Sequence, residues 1–264
     1  MDYAEQIAKL VLEATLPGTM LSYRVEQSHG GCDFEFCHPN GTTATLEVTS
    51  SVNQTLVETV AAIRGERAGG PTLKATKCSK SWIIFPAPGA NIPEIRRKAD
   101  SLLSHLEQQG IERFSFTDRQ LLGHPTCKEL DITSGSVFDA SAPPIIMIAF
   151  PVSGGAVGPT TATKAAEDEA QKLDNRKKLG VANTGERHLA VYVDVMNGLV
   201  WNALTSFAPP STLPTLPEEI THICIIGHSG NQVAPDEFVI WHADAGTPWQ
   251  RRVITLPPRT PTTS

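Results

Sequence analysis

The 264-residue chain predicts an α/β fold, a mixed β-sheet flanked by helices. Three observations carry that expectation. Helical periodicities alternate with short apolar runs, as layered α/β domains require. One stretch, His29 to Ser51, switches to a period of two, the mark of paired strands with one buried face. Apolar residues make up 40% of the chain, enough for a substantial core and too many for a disordered one.

Residues 3–14 place Ile7, Leu10, Val11 and Ala14 on one helical face, and Pro17-Gly18 ends that helix. Two strands around Asp33 and Glu47 follow, joined through Pro39-Asn40-Gly41. A helix from about Asn53 to Arg67 turns Leu56, Val57, Val60 and Ile63 inward, with Gly69-Gly70 beyond its end. Ser81 to Phe85 reads as a short buried strand. The helix over 92–109 has Asn91 as N-cap, Pro93 in the first turn and Gly110 past its end. Its stripe is Ile95, Ala99, Leu102, Leu103 and Leu106. Strands at 113–117 and 145–150 come next, then a turn at Ser153-Gly154-Gly155. A charged helix over 163–179 precedes strands at 188–195, 220–226 and 237–242.

Composition excludes several classes. Twenty-two Lys+Arg against 28 Asp+Glu give a net charge of −6, so bulk positive charge does not hold a partner. No apolar run reaches the roughly 20 residues a membrane helix needs. The N-terminus carries acid where a signal peptide needs positive charge. A cytoplasmic protein with no membrane partner is expected. Five scattered cysteines, with no C-x-x-C, read as reduced thiols rather than a disulfide framework.

The hairpin is the informative element. A three-residue loop with Gly41 in the left-handed conformation pairs His38 with Thr42. Cys37 then opposes Thr43, Glu35 opposes Thr45, and Asp33 opposes Glu47 on one polar face, while Cys32, Phe34, Phe36, Ala44, Leu46 and Val48 share the other. A two-residue loop would mix the faces, so parity selects this register. Cβ atoms of such a pair are about 4.5–5.5 Å apart, and two carboxylates that close either share a proton or hold a cation. Asp33 and Glu47 are thus a candidate site for Mg²⁺ or Mn²⁺, hard ions that favour oxygen. The alternative is a solvated face on which two acids diverge.

Gly31-Cys32-Asp33-Phe34 and Leu46-Glu47-Val48-Thr49 lie in the order helix, strand with Asp, strand with Glu, helix, strand, long helix, strand. From about Asp2 to Thr117 that order resembles the restriction-endonuclease-like nucleases, the PD-(D/E)XK superfamily. The second half, where 163–179 feeds His188-Leu189-Ala190-Val191, is similar to uncharacterised bacterial proteins with such a front end. The resemblance implies a nuclease-like core over 1–120, a C-terminal α/β extension over 121–256 packed on the same core, and a disordered tail over 257–264. It implies that Asp33 and Glu47 bind the ion and that a lysine two residues after the Glu helps activate the attacking water. That position holds Thr49, which carries no charge, so either a lysine from elsewhere substitutes, with Lys74, Lys77 and Lys80 nearest in sequence, or the site is degenerate. Glu5 or Glu13 on the first helix would be a further ligand by the same analogy.

The implied activity is metal-assisted hydrolysis of phosphodiester bonds in DNA or RNA. The alternative is a non-catalytic interaction or nucleic-acid-binding module on the same scaffold. Between Ile63 and Lys98 the chain has eight positive residues against two negative, and Arg64, Lys74, Lys77 and Lys80 are the candidate nucleic-acid contacts. Exposed helix faces are charged for ordinary reasons as well.

Two other patterns are set aside. Gly227-His228-Ser229-Gly230-Asn231 resembles an esterase nucleophile turn, but no helix pattern follows and a hairpin turn fits better. His29, Cys32, Cys37 and His38 have zinc-like spacing, yet their side chains diverge along a strand. Trp201, Trp241 and Trp249 are expected in the core.

Overall fold

The computed structural model describes residues 1–16, 19–23, 31–65, 70–115, 125–140, 143–150, 157–182, 184–194, 197–231, 233–234 and 236–257. In chain order the elements are α1 (Tyr3–Thr15), β1 (Met20–Tyr23), β2 (Phe34–Cys37), β3 (Thr43–Ser51), α2 (Gln54–Arg64), β4 (Thr72–Lys74), β5 (Ser81–Pro86), α3 (Ile92–Gln108) and β6 (Arg113–Ser115). They continue as α4 (Pro125–Glu129), β7 (Ile132–Phe138), β8 (Ile145–Ile148), α5 (Pro159–Ala170), α6 (Leu173–Gly180), β9 (Glu186–Val193), α7 (Gly198–Ser206), β10 (His222–His228), β11 (Glu237–Asp244) and β12 (Thr247–Thr255). The α/β class with mixed sheets is as expected, but the division of the chain is not. One unit combines 1–52 with 155–264, and residues 53–154 form the other, so the boundary expected near 120 falls elsewhere.

The first unit is built on a seven-stranded sheet in the order β1-β2-β3-β9-β10-β11-β12. Its centre, β3-β9-β10, is parallel, and antiparallel pairs flank it on both sides. Alternation along the strands splits the buried residues into two cores. On one face Ile7, Ala8, Val11 and Leu12 of α1 pack on Phe34, Phe36, Leu46, Ala190 and Ile226. On the other, Ala162, Ala166, Leu179, Ala203 and Leu204 of α5, α6 and α7 cover Leu189, Val191, Ile225 and Trp241. Helix α1 starts from a capping box in which Asp2 accepts from the Glu5 amide and Glu5 accepts from the Asp2 amide.

The second unit is a five-stranded sheet in the order β4-β8-β5-β7-β6, against which α3 buries Ile92, Ile95, Ala99, Leu102, Leu103 and Leu106, the expected stripe extended by Ile92. Asp100 and Glu107, on α3, accept hydrogen bonds from the backbone of 76–80, which fastens that loop. Gly135 on β7 lies under the Phe114 ring, where a Cβ would meet ring carbon Cε1 at 2.6 Å.

Several local expectations change. The helix expected over 163–179 is two helices, α5 and α6, broken after Ala170. Strands β1, β4, β7 and β12 and helices α4 and α7 lie where no element was expected. The Ser229 segment is the turn between antiparallel β10 and β11, with Gly230 at φ +76°, so no nucleophile elbow forms. Trp241 and Trp249 are buried and Trp201 packs partly buried on the same core. All five cysteines are free thiols. The turn at 153–155 and residues 258–264 of the expected tail lie outside the described residues. No helix among the described residues is long and apolar enough to cross a membrane.

Candidate metal centre

The hairpin forms in the register that parity selects. Cys37 pairs with Thr43, Glu35 with Thr45 and Phe34 with Leu46. His38 donates its amide to the Thr42 carbonyl at 2.9 Å, and Gly41 has φ +85°, the conformation this loop needs. Asp33 immediately precedes β2. Its Oδ2 accepts from the Val48 amide at 2.8 Å, so it caps backbone on β3 beside Glu47. Cys32 leaves the strand pattern and packs with the α5–α6–α7 core rather than beside Phe34; its thiol donates to the Lys178 carbonyl at 3.3 Å.

Both acids are buried, Asp33 at 5% exposure and Glu47 at 2%. Charge of one sign at such depth needs compensation, and α6 supplies it. Lys178 Nζ donates to Glu47 Oε1 at 2.6 Å and lies 3.6 Å from Asp174. The Lys178 side chain is 24% exposed, so it roofs the pair from the solvent side. Burial pushes the Glu47 pKa from 4.5 up to about 7; the Asp33 charge adds to the rise, and the Lys178 hydrogen bond opposes it. Lys178 in turn is held above its ordinary value, because its bond to Glu47 and the charges of Asp174 and Asp33 outweigh its own burial.

One oxygen of this centre is left over. Glu47 Oε2 is buried and has no hydrogen-bond partner among the described residues. A buried acceptor without a donor needs an explanation, since such groups are rare and unfavourable. A hard cation would satisfy it. Two buried carboxylates, Asp33 just before β2 and Glu47 on β3, the second with an oxygen that lacks a donor among the described residues, fit Mg²⁺ or Mn²⁺ in donor chemistry.

Beside the pair, Thr49 donates to Glu169 Oε2 of α5 at 3.3 Å, and Lys172 binds Glu169 Oε1 at 2.7 Å. Thr49 thus positions a third buried carboxylate. The lysine that reaches Glu47 is Lys178, far from the hairpin in sequence. Nothing in the local spacing of Lys178 marks it, because its bond to Glu47 spans 131 residues. Lys74, Lys77 and Lys80 belong to the other unit and are not brought to Glu47 by any described contact. Glu5 and Glu13 are on α1, which covers the face opposite Glu47, and they engage Asp2 and Lys9 instead.

The basic rim is partly absorbed by its own unit. Arg64 stacks over the Phe150 ring, Lys77 donates to Ser101 Oγ at 2.7 Å, and Lys80 pairs with Glu112. Arg96 is turned inward on the carbonyls of Ile63 and Gly70, while Arg97 and Lys98 pair with Glu94. Lys74 is exposed on β4, at the sheet edge.

No family model, no curated protein and no solved structure matches the chain.

Proposed function

We propose that Asp33, Glu47 and Lys178 form the centre of a divalent-metal-dependent nuclease that hydrolyses phosphodiester bonds in DNA or RNA. The observation that carries the reading is the buried Asp33–Glu47 pair, with an orphaned Glu47 oxygen and a lysine closing on it from another element. Asp33 and Glu47 would hold Mg²⁺ or Mn²⁺. The ion would supply Lewis acidity, lowering the pKa of water and neutralising charge on the phosphoryl oxygens.

The chain's own residues do the rest. Val48 N–H fixes the Asp33 carboxylate by binding one of its oxygens. Lys178, beside Glu47, would offer its ammonium to the phosphate oxygens and the attacking water, and stabilise negative charge there by Coulomb attraction. A lysine does this from any backbone position that brings Nζ to the same place, so Thr49 at the expected position does not remove the function. Glu47, at about 7, gives up its proton readily near neutrality, which suits a group that must be ionised to bind a cation. Arg64, Lys74, Lys77 and Lys80 are assigned to the nucleic-acid backbone through charge.

The test is cleavage of single- and double-stranded DNA and RNA in Mg²⁺ or Mn²⁺. Wild-type protein cuts at least one of them, and Glu47→Gln, which keeps the side-chain shape, lowers the rate by at least about a hundredfold. Absence of cutting with every substrate and metal overturns the reading and leaves the non-catalytic module in its place.

A further inference from the structure

A second cluster lies on the opposite face of the same seven-stranded sheet. His38 follows β2, and Glu186 and His188 open β9, where parallel pairing aligns Ala44 with Glu186 and Leu46 with His188. Alternation turns His38, Glu186 and His188 to the α1 side. His38 Nε2 is 2.9 Å from Glu186 Oε2, and His188 Nε2 is 3.1 Å from that same oxygen. One ligand atom from each residue lies within 4.8 Å of the others.

The rings are held for this arrangement. Phe36 meets both His38 and His188 edge-on, at centroid distances of 5.1 Å each. His222 stacks on His188 at 4.2 Å and 9°, and its Nδ1 is bound to the Thr221 hydroxyl at 2.9 Å. His188 and His222 also line a cavity of about 120 Å³ with His242, whose Nε2 is buried and has no partner among the described residues.

We propose that His38, Glu186 and His188 are a clip for a late first-row divalent transition ion, Zn²⁺ being the best chemical match, which ties the β2–β3 hairpin to β9. Two imidazoles and one carboxylate are borderline donors that suit Zn²⁺ and disfavour Mg²⁺. Ligands about 2.0–2.1 Å from one tetrahedral ion are roughly 3.3 Å apart, so the observed 2.9 and 3.1 Å spacings need only small outward shifts. Water or a neighbouring imidazole completes the coordination. The clip closes a long loop, because His38 and Glu186 are 148 residues apart, and linking such a span stabilises the folded hairpin.

The experiment is Zn²⁺ titration of the metal-free full-length protein in excess Mg²⁺, with the visible spectrum of the Co²⁺ form as a second readout. One Zn²⁺ per chain, a higher melting temperature on loading, and Co²⁺ bands of a four-coordinate ion are expected. His38→Gln, Glu186→Gln and His188→Asn each weaken binding by at least about tenfold, while Asp33→Asn leaves it unchanged. His38→Gln and Glu186→Gln alter partly exposed side chains and decide the matter if the His188 variant fails to fold. Failure to take up Zn²⁺ stoichiometrically, uptake that survives both of those variants, or uptake lost in Asp33→Asn overturns the proposal.

Discussion

Replacing Lys178 with methionine isolates what the buried pair contributes and how it depends on pH. The change keeps most of the apolar stem and removes the only described donor to Glu47. Breaking a buried ion pair costs about 3–5 kcal/mol when the partner must stay charged. Glu47 has another course, because burial already lifts its pKa from 4.5 to about 7, so it can take a proton instead.

The folded-state pKa is above the unfolded value. The stabilisation that protonation supplies is therefore complete below pH 4.5 and is lost as pH rises toward 7. In wild type that loss stops near 7. Without Lys178, which lowers the Glu47 pKa, the loss continues above 7 at about 1.4 kcal/mol per pH unit. Near pH 5 the variant should lose only a hydrogen bond, about 1 kcal/mol. By about pH 9 the deficit should reach roughly 4 kcal/mol.

Denaturant titrations followed by the fluorescence of Trp201, Trp241 and Trp249, all in the first unit, would read this difference. Lys178 is charged in both folded and unfolded wild type over this range, since its pKa lies above the ordinary value, and adds no slope of its own. A deficit constant across pH, or larger in acid, would refute the reasoning.

Three further outcomes follow from particular contacts. Adding Thr49→Lys to Lys178→Met should restore part of the cleavage lost in the single variant, measured as initial rate, because the new ammonium issues from the same face of β3 as Glu47. Asp100→Asn should destabilise the second unit by about 1 kcal/mol at neutral pH, discounted for solvent screening. Although burial opposes it, hydrogen bonds from Thr76, Lys77 and Cys78 hold the Asp100 pKa down to about 2, so this stabilisation is present above pH 3.8 and fades toward 2; thermal melts across that range check it. Gly135→Ala should destabilise the same unit by about 1–3 kcal/mol in a denaturant titration, since its Cβ would press into the buried Phe114 ring.

The hairpin register was legible because only one loop length keeps Phe34, Phe36, Ala44 and Leu46 on a single face, and burial enforces that choice. Helix α3 was legible for a similar reason, with an N-cap at Asn91 and one continuous apolar stripe. Strand β12 was not, because Gln250, Arg251 and Arg252 are all exposed and blur the alternation on an edge strand. Strand β7 reads as a loop from Thr133, Ser134, Gly135 and Ser136, and packing beneath Phe114 rather than β-propensity puts Gly135 there. Lys178 was hidden because a lysine on a charged helix has the same local signature whether it meets solvent or a carboxylate from a distant strand. The discontinuous first unit was hidden too, since the pairing of β3 with β9 is a long-range contact that no local pattern records.

Calorimetric titration with Mn²⁺ near pH 6, repeated in buffers of different ionisation enthalpy, tests the central assignment most directly. Glu47 is largely protonated there and must release a proton to ligate, so binding should show proton release that vanishes, together with the binding itself, in Glu47→Gln and Asp33→Asn. Mn²⁺ binding that is absent in wild type, or that persists unchanged in both variants, would contradict the account.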